Sequence, residues 1–132
     1  VKAAHGDKLV RLIKDGVVPV LAPLTHDGRG QLLNTNADTI AGEAAKALAP
    51  YFDVTLVYCF EKKGVLRDEN DDESVIPSID RPMFDALVAD GVVQGGMIPK
   101  LENAFEAISA GVKEVVITRA DAILSGGTRI VR

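Results

Sequence analysis

Apolar positions in this chain come in short blocks, and their spacing switches between a helical and an extended period. From Met97 onward, Met97, Leu101, Phe105 and Ile108 recur at i, i+4, i+8 and i+11, which predicts one stripe of an amphipathic helix. Leu9, Leu12 and Ile13 share a face of a second helix over residues 7–14, ended by Gly16. "DVTLVYCF", residues 53–60, is apolar at consecutive positions, as a strand covered on both faces should be. "VVPVLAP", residues 17–23, is a β-branched run between turn signals and predicts a buried strand. "EVVIT", residues 114–118, predicts another; residues 75–79 predict a short one, and "GTRIVR" at the end a last one.

Polar residues punctuate these blocks. "HDGRGQ" predicts a hairpin tip between Leu24 and Leu33. Asn36 can cap a helix running to about Leu48, with Asp38 in its first turn. Asp80 can cap another to about Ala89, with Pro82 tolerated near its start. "RDENDDE", residues 67–73, predicts an exposed loop. Helices alternating with strands imply a layered α/β fold with a largely parallel central sheet. Ligands of such sheets lie beyond the strands' carboxyl ends, at helix N-termini. The loop after Phe60, the Gly95–Gly96 turn and the residue 34–38 turn should meet there.

Composition narrows the class. The 132 residues suffice for one domain, 1–132, with a single core. Apolar residues make up 47% and charged residues 26%, ordinary for a globular protein. A net charge of -4 argues against nucleic-acid and membrane-surface partners, which call for a basic patch. No apolar run approaches the roughly 20 residues that span a bilayer, and residues 1–10 carry no signal-peptide pattern. The single cysteine, Cys59, has no internal disulfide partner and lies in an apolar run, so a buried thiol in the cytoplasm is expected. The chain opens without Met in polar sequence, as a piece of a longer protein would.

Three stretches can carry chemistry. In "GGMIPK" two glycines lead into the Met97 helix and Lys100 sits in its first turns. A cation there costs roughly 0.3–1 kcal/mol against the helix dipole. Gly95 and Gly96 let backbone N–H groups approach a ligand, and Lys100 adds a full charge, a combination suited to phosphate. A glycine turn followed by a solvated lysine explains the same residues. In "LLNTNAD", Asn34 and Asn36 alternate, pointing one way in extended backbone, and Asp38 follows at the helix entry. Amides can hold a polar substrate, and a carboxylate can orient a lysine. A plain Asn cap is the simpler alternative. In "CFEKKGVL", Lys62 and Lys63 could meet phosphates while Val65 and Leu66 flank a base; a solvated strand exit is the other reading.

Other patterns fail. "DENDDE" from Asp68 would place Glu73 where a calcium loop needs Gly and Ile79 where it needs Glu. His5 and His26 are isolated, so no metal ligand is assigned. "GRG" precedes no clear helix, and no P-loop occurs.

Taken in order, "PVLAPL", "GQLLNTNADTIA", "KKGVL", "GGMIPKLENAFEAISAGV" and "GGTRI" resemble the C-terminal half of the amino acid kinase family over nearly the whole chain. The resemblance is nearest to members acting on an N-acylated glutamate. It implies a three-layer sandwich of the carbamate kinase-like type, of which this chain is the ATP-binding C-terminal half. It implies ATP-dependent phosphorylation of the side-chain carboxylate of N-acetyl-L-glutamate, in arginine biosynthesis, with Mg2+ carried by the nucleotide. By the same resemblance Lys100 stabilises the transferring phosphoryl group, Asp38 organises the catalytic lysines, and Asn34, with Asn36 beside it, holds the acylated amino acid. Glu61, Lys62, Lys63, Gly64, Val65 and Leu66 occupy the nucleotide loop, where the family reads something like DVPGVL. Val92, Val93 and Gln94, with Gly95 and Gly96, complete the ATP site. The family's N-terminal lysine, glycine loops and substrate arginine have no counterpart here, so this piece alone should be inactive. The full-length enzyme should be a homo-oligomer. A non-catalytic nucleotide- or amino-acid-binding module, or a sister kinase for N-succinylglutamate or another small carboxylate, are the competing readings.

Overall fold

In the computed structural model, which describes Val1 and residues 4–132, the helices and strands follow the apolar blocks. In chain order they are α1 (Gly6–Lys14), β1 (Leu24–His26), β2 (Leu32–Asn34), α2 (Ala37–Leu48), β3 (Thr55–Phe60), β4 (Ser78–Ile79), α3 (Arg81–Ala89), α4 (Met97–Ser109), β5 (Glu114–Arg119) and β6 (Thr128–Ile130), with a 3-10 turn at Ala120–Ala122. The expected caps are present. Asn36 Oδ1 accepts from the Asp38 and Thr39 amides at 2.8 and 3.2 Å. Asp80 Oδ1 accepts from the Met83 amide at 2.8 Å. These bonds fix where α2 and α3 begin, because they satisfy amides that have no partner inside the helix.

β3, β5, β6 and β4 form one sheet in that order. β3 runs parallel to β5 and β4 parallel to β6. The sheet is largely parallel, as expected, with two of its three pairings parallel; the central pair, β5 and β6, is antiparallel and makes it mixed. That pairing follows from a short return: β6 comes back along β5 after only eight intervening residues, too few for a parallel crossover. α2 packs against β3 and α4 against β5 and β6, while α2 and α4 touch each other. The α4 stripe enters the core as its spacing predicts, with Leu101 fully buried and Phe105 and Ile108 nearly so. Ile79, Val115 and Ile117, also fully buried, meet it from the sheet. Leu56 and Tyr58 of β3 face the same helical layer.

Three expectations change. Residues 17–23 do not form a strand; Val18 and Val20 are 84% and 93% exposed. A strand exists through its ladder bonds, and no described strand lies alongside this run, while Pro19 and Pro23 lack the donors to begin one. β3 is buried on one face only. Its burial alternates, and Thr55 and Cys59 are exposed on the side away from the helices. Cys59 is therefore an exposed thiol and not a buried one. Its run looks continuously apolar because an edge strand of this sheet still carries β-branched residues on its open face. Finally, the strand expected over residues 75–79 shrinks to Ser78–Ile79, with Val75 in an isolated antiparallel bridge to Leu66.

The hairpin between Leu24 and Leu33 forms as expected, β1 pairing antiparallel with β2. Leu24, Leu32 and Leu33 on it remain exposed. No helix among the described residues is long and apolar enough to cross a membrane.

Candidate functional site

Each helix that precedes a strand of this sheet runs back along it, so the N-termini of α2 and α4 both lie near the carboxyl ends of β3 and β5. Lys100 and Asp38, from the two helix mouths, meet there. Lys100 Nζ is 3.4 Å from Asp38 Oδ2, with the two side chains 30% and 27% exposed. A pair this accessible contributes at most about 1 kcal/mol. It nevertheless answers the opposition between Lys100 and the dipole of α4. That helix has no side-chain cap and no acidic residue in its first turn. Its neighbour supplies the missing anion, and Asp38 in turn sits at the first turn of α2, where a carboxylate is favoured.

Lys100 Nζ also stands 3.7 Å from the centroid of the Phe60 ring, at the end of β3. Phe60 stacks on Tyr58 with centroids 6.2 Å apart. The Tyr58 hydroxyl donates to the Asp38 carbonyl oxygen at 3.1 Å. Burial, and secondarily the Asp38 charge, push the Tyr58 hydroxyl up to about 12.

Two adjoining cavities open at this edge. One, of about 510 Å³, is lined by Cys59, Phe60, Glu61, Lys62, Gly64, Met97 and Lys100. The other, of about 530 Å³, is bounded by Lys62 and residues 64–69 on one side and by residues 91–94 with Met97 on the other. Lys62, Gly64 and Met97 line both, so the two form one continuous cleft. At its α4 end Gly95 adopts φ +53°, a conformation costly for any residue with a Cβ. Met97 and Ile98 amides donate back to Gln94 and Gly95. The backbone N–H groups of Gly95 and Gly96, between the lining residues Gln94 and Met97, make no hydrogen bond among the described residues.

The wall of the cleft is tied down from the far end of the chain. Thr128 Oγ1, fully buried, accepts from the Val65 amide at 2.8 Å and donates to the Ile76 carbonyl at 2.7 Å. Gly64 sits against this hydroxyl: a Cβ on it would approach Thr128 Oγ1 to 2.8 Å and Val75 Cγ1 to 2.9 Å. Only glycine allows the loop to pass so close to β6.

Of the residues singled out in the sequence, Asp38 and Lys100 come together, and Lys62, Gly64, Val65, Leu66, Val92, Val93 and Gln94 gather around the larger cavity. Asn36 Oδ1 is committed to the α2 cap. Asn34, exposed at the end of β2, has no hydrogen bond or ion pair to Asp38 or Lys100 among the described residues. Lys62 and Lys63 are turned to the acidic loop, pairing with Asp72 at 2.8 Å and Glu73 at 2.5 Å. The hydrogen bond from Lys62 holds the Asp72 carboxyl below its ordinary value. Among the described residues no cluster of three or more His, Cys, Asp or Glu side chains could hold a metal.

Sequence reading passed over Phe60, Tyr58 and Met97, and over Arg67, Asp68 and Glu69 on the rim. The signal for the aromatic pair was present. Leu56, Tyr58 and Phe60 alternate along β3, and the burial of Leu56 marks their side as the covered one.

Comparison with known proteins is consistent with this arrangement. A profile of the amino acid kinase family matches residues 1–119. The chain is 72% identical over 131 residues to the acetylglutamate kinase of Bacteroides thetaiotaomicron, covering 98% of itself and 51% of that protein. It thus spans about half the length of the curated relatives it matches. Among solved structures, that of smu.665 from Streptococcus mutans superposes with a TM-score of 0.81 at 33% identity, over 99% of this chain and 49% of that one. The carbamate kinase of Giardia lamblia bound to AMP-PNP superposes at 0.70 with 20% identity, over 98% of this chain and 50% of that one, a likeness of fold.

Proposed function

From the premise that this chain belongs to the amino acid kinase family, we propose that it is the ATP-binding, C-terminal half of an acetylglutamate kinase. The full-length protein would transfer the γ-phosphoryl group of ATP to the side-chain carboxylate of N-acetyl-L-glutamate, giving the acyl phosphate, in a cytoplasmic route to arginine. The observation that carries the reading is Lys100, held beside Asp38 at the rim of a cleft that continues to Leu66 and Val93.

Phosphoryl transfer requires positioning and charge neutralisation more than covalent chemistry from the protein. The cleft between residues 64–69 and 91–94 takes the adenosine, with Val65, Leu66 and Val92 as its apolar contacts. The phosphates lie toward the smaller cavity, at the free Gly95 and Gly96 amides. Mg2+ travels with the nucleotide and no protein ligand is assigned to it. Lys100 meets the transferring phosphoryl group, and Asp38 keeps the ammonium at the rim until the nucleotide arrives. Asn34 holds the acylated amino acid, with Asn36 contributing through the cap that sets the start of α2. For Lys62 and Lys63 to reach phosphate they must leave Asp72 and Glu73, which is easy for pairs this exposed. The acceptor site and the oligomer contacts belong to the whole enzyme.

The experiment is turnover by the full-length protein with ATP and a panel of N-acylglutamates, trapping the acyl phosphate with hydroxylamine. Acyl hydroxamate formed most efficiently from N-acetylglutamate is the expected result. A preference for N-succinylglutamate would make it a sister kinase, and no hydroxamate from any acceptor would leave a binding module.

A further inference from the structure

Phe60 lies in the "CFEKKGVL" stretch without any role assigned to it, yet its ring touches the charge on which the proposed chemistry depends. Lys100 Nζ lies between two partners of different kind, Asp38 Oδ2 at 3.4 Å and the Phe60 ring centroid at 3.7 Å. The ring is itself backed by Tyr58, nearly parallel to it at 19°. Tyr58 in turn is bonded to the backbone of Asp38. The ring and the carboxylate that bracket the ammonium are therefore set relative to each other through one aromatic side chain.

We propose that Phe60 is a positioning residue: the face of its ring holds Lys100 Nζ at the cavity rim while leaving the ammonium N–H groups for phosphoryl oxygens. The inference rests on the kinase reading above. A ring face attracts an ammonium through its quadrupole but presents no lone pair that takes up an N–H donor. A carbonyl or second carboxylate in the same place would compete with the phosphates for those donors. Lysine carries a long flexible stem, and a single carboxylate leaves it many rotamers. Two simultaneous contacts of different kind narrow them. The cation is then in place before charge develops on the transferring group, which is where a preorganised charge acts. Phe60 also counters the tendency of the α4 dipole to drive an unpaired ammonium out into solvent.

The test uses the full-length enzyme with Phe60 replaced by mono-, di- and trifluorophenylalanine, alongside Phe60→Tyr and Phe60→Leu. Fluorination weakens the electrostatic attraction of the ring face while nearly preserving its shape. The expected result is a stepwise fall of kcat with each added fluorine at constant Tm. Phe60→Leu should lose about threefold to thirtyfold in kcat, with the KM for ATP and for N-acetylglutamate changing by less than about twofold. Phe60→Tyr, which keeps the ring, should retain near wild-type kcat. A kcat that stays flat across the fluorinated series in an active enzyme overturns the inference and leaves the kinase reading standing. A wild-type enzyme that phosphorylates no N-acylglutamate overturns both.

Discussion

Lys100 Nζ and Asp38 Oδ2, 3.4 Å apart, join the N-termini of two helices separated by two strands and a helix in the chain. Neither residue is explained by its own helix alone. Lys100 opposes the dipole of α4, and Asp38 on α2 is the charge that makes its position tolerable. In the proposed enzyme the arriving nucleotide takes over that role, so the pair functions as one unit with the phosphates.

The kinetic consequence is specific. In the full-length enzyme Lys100→Ala should lower kcat by at least about a hundredfold with less effect on KM, because a group acting mainly on the transition state behaves so. Lys100→Arg should rescue poorly, since a planar fork cannot replace a point charge in a tight site. Asp38→Asn combined with Lys100→Ala should cost less than the product of the single losses, because the two act together. Asn34→Ala should instead raise the KM for N-acetylglutamate. Steady-state kinetics with each substrate varied decides these points; equal kcat for Lys100→Ala and wild type would remove Lys100 from the mechanism.

The 132-residue chain on its own should bind ADP weakly and not turn over. A proton–nitrogen NMR titration at millimolar ADP is expected to move amides in residues 61–66 and 92–96. Phosphoryl transfer needs the acceptor held in line with the γ-phosphate, and positioning contributes roughly 7–11 kcal/mol. Hydroxylamine trapping within tenfold of the full-length rate would contradict the assignment of the acceptor site to the other half.

Thr128→Val keeps the shape of the side chain and removes its hydroxyl. It strands the Val65 amide and the Ile76 carbonyl, which the hydroxyl bonds at 2.8 and 2.7 Å. Each orphaned buried group costs about 1–3 kcal/mol. The full-length variant should therefore show a lower denaturation midpoint and a weaker affinity for ADP by calorimetry. A loss of stability with ADP affinity intact would separate Thr128 from the cleft.

Tyr58 gives the fold an alkaline limit. Its hydroxyl is raised from an ordinary 10.0 to about 12 in the folded protein. The fold thus favours the protonated form. This contribution is complete below pH 10 and is lost as the pH rises through about 12, because the unfolded chain gives up the proton first. Urea midpoints measured from pH 8 to 12 should fall less steeply for Tyr58→Phe than for wild type, the other titrations being common to both. Parallel curves would show that Tyr58 is not linked to folding.

What the sequence makes legible is what neighbouring residues decide among themselves. The α4 stripe, the Asn36 and Asp80 caps and the hairpin tip all follow from contacts within a few positions. Residues 17–23 mislead because strand formation depends on a distant partner, and apolar β-branched composition cannot show whether one is there. Cys59 misleads for a related reason: a strand's composition does not reveal which of its faces is covered. The turn of Lys62 and Lys63 toward Asp72 and Glu73 depends on how an acidic loop folds back across ten positions, which no local rule specifies. Lys100 and Asp38 were legible as separate candidates through their helix positions, whereas the ring between them and Tyr58 appears only when β3 is set beside α4.

The hydrogen bond that the Val65 amide donates to Thr128 crosses 63 positions and ends on β6. During synthesis the loop at Gly64 leaves the ribosome well before the residue that fixes it. Until Thr128 emerges, the Val65 amide and the Ile76 carbonyl remain solvated and one wall of the cleft is unset. In the proposed enzyme, nucleotide would therefore find this wall set only once β6 has been made, so chain order itself delays the completion of the cleft.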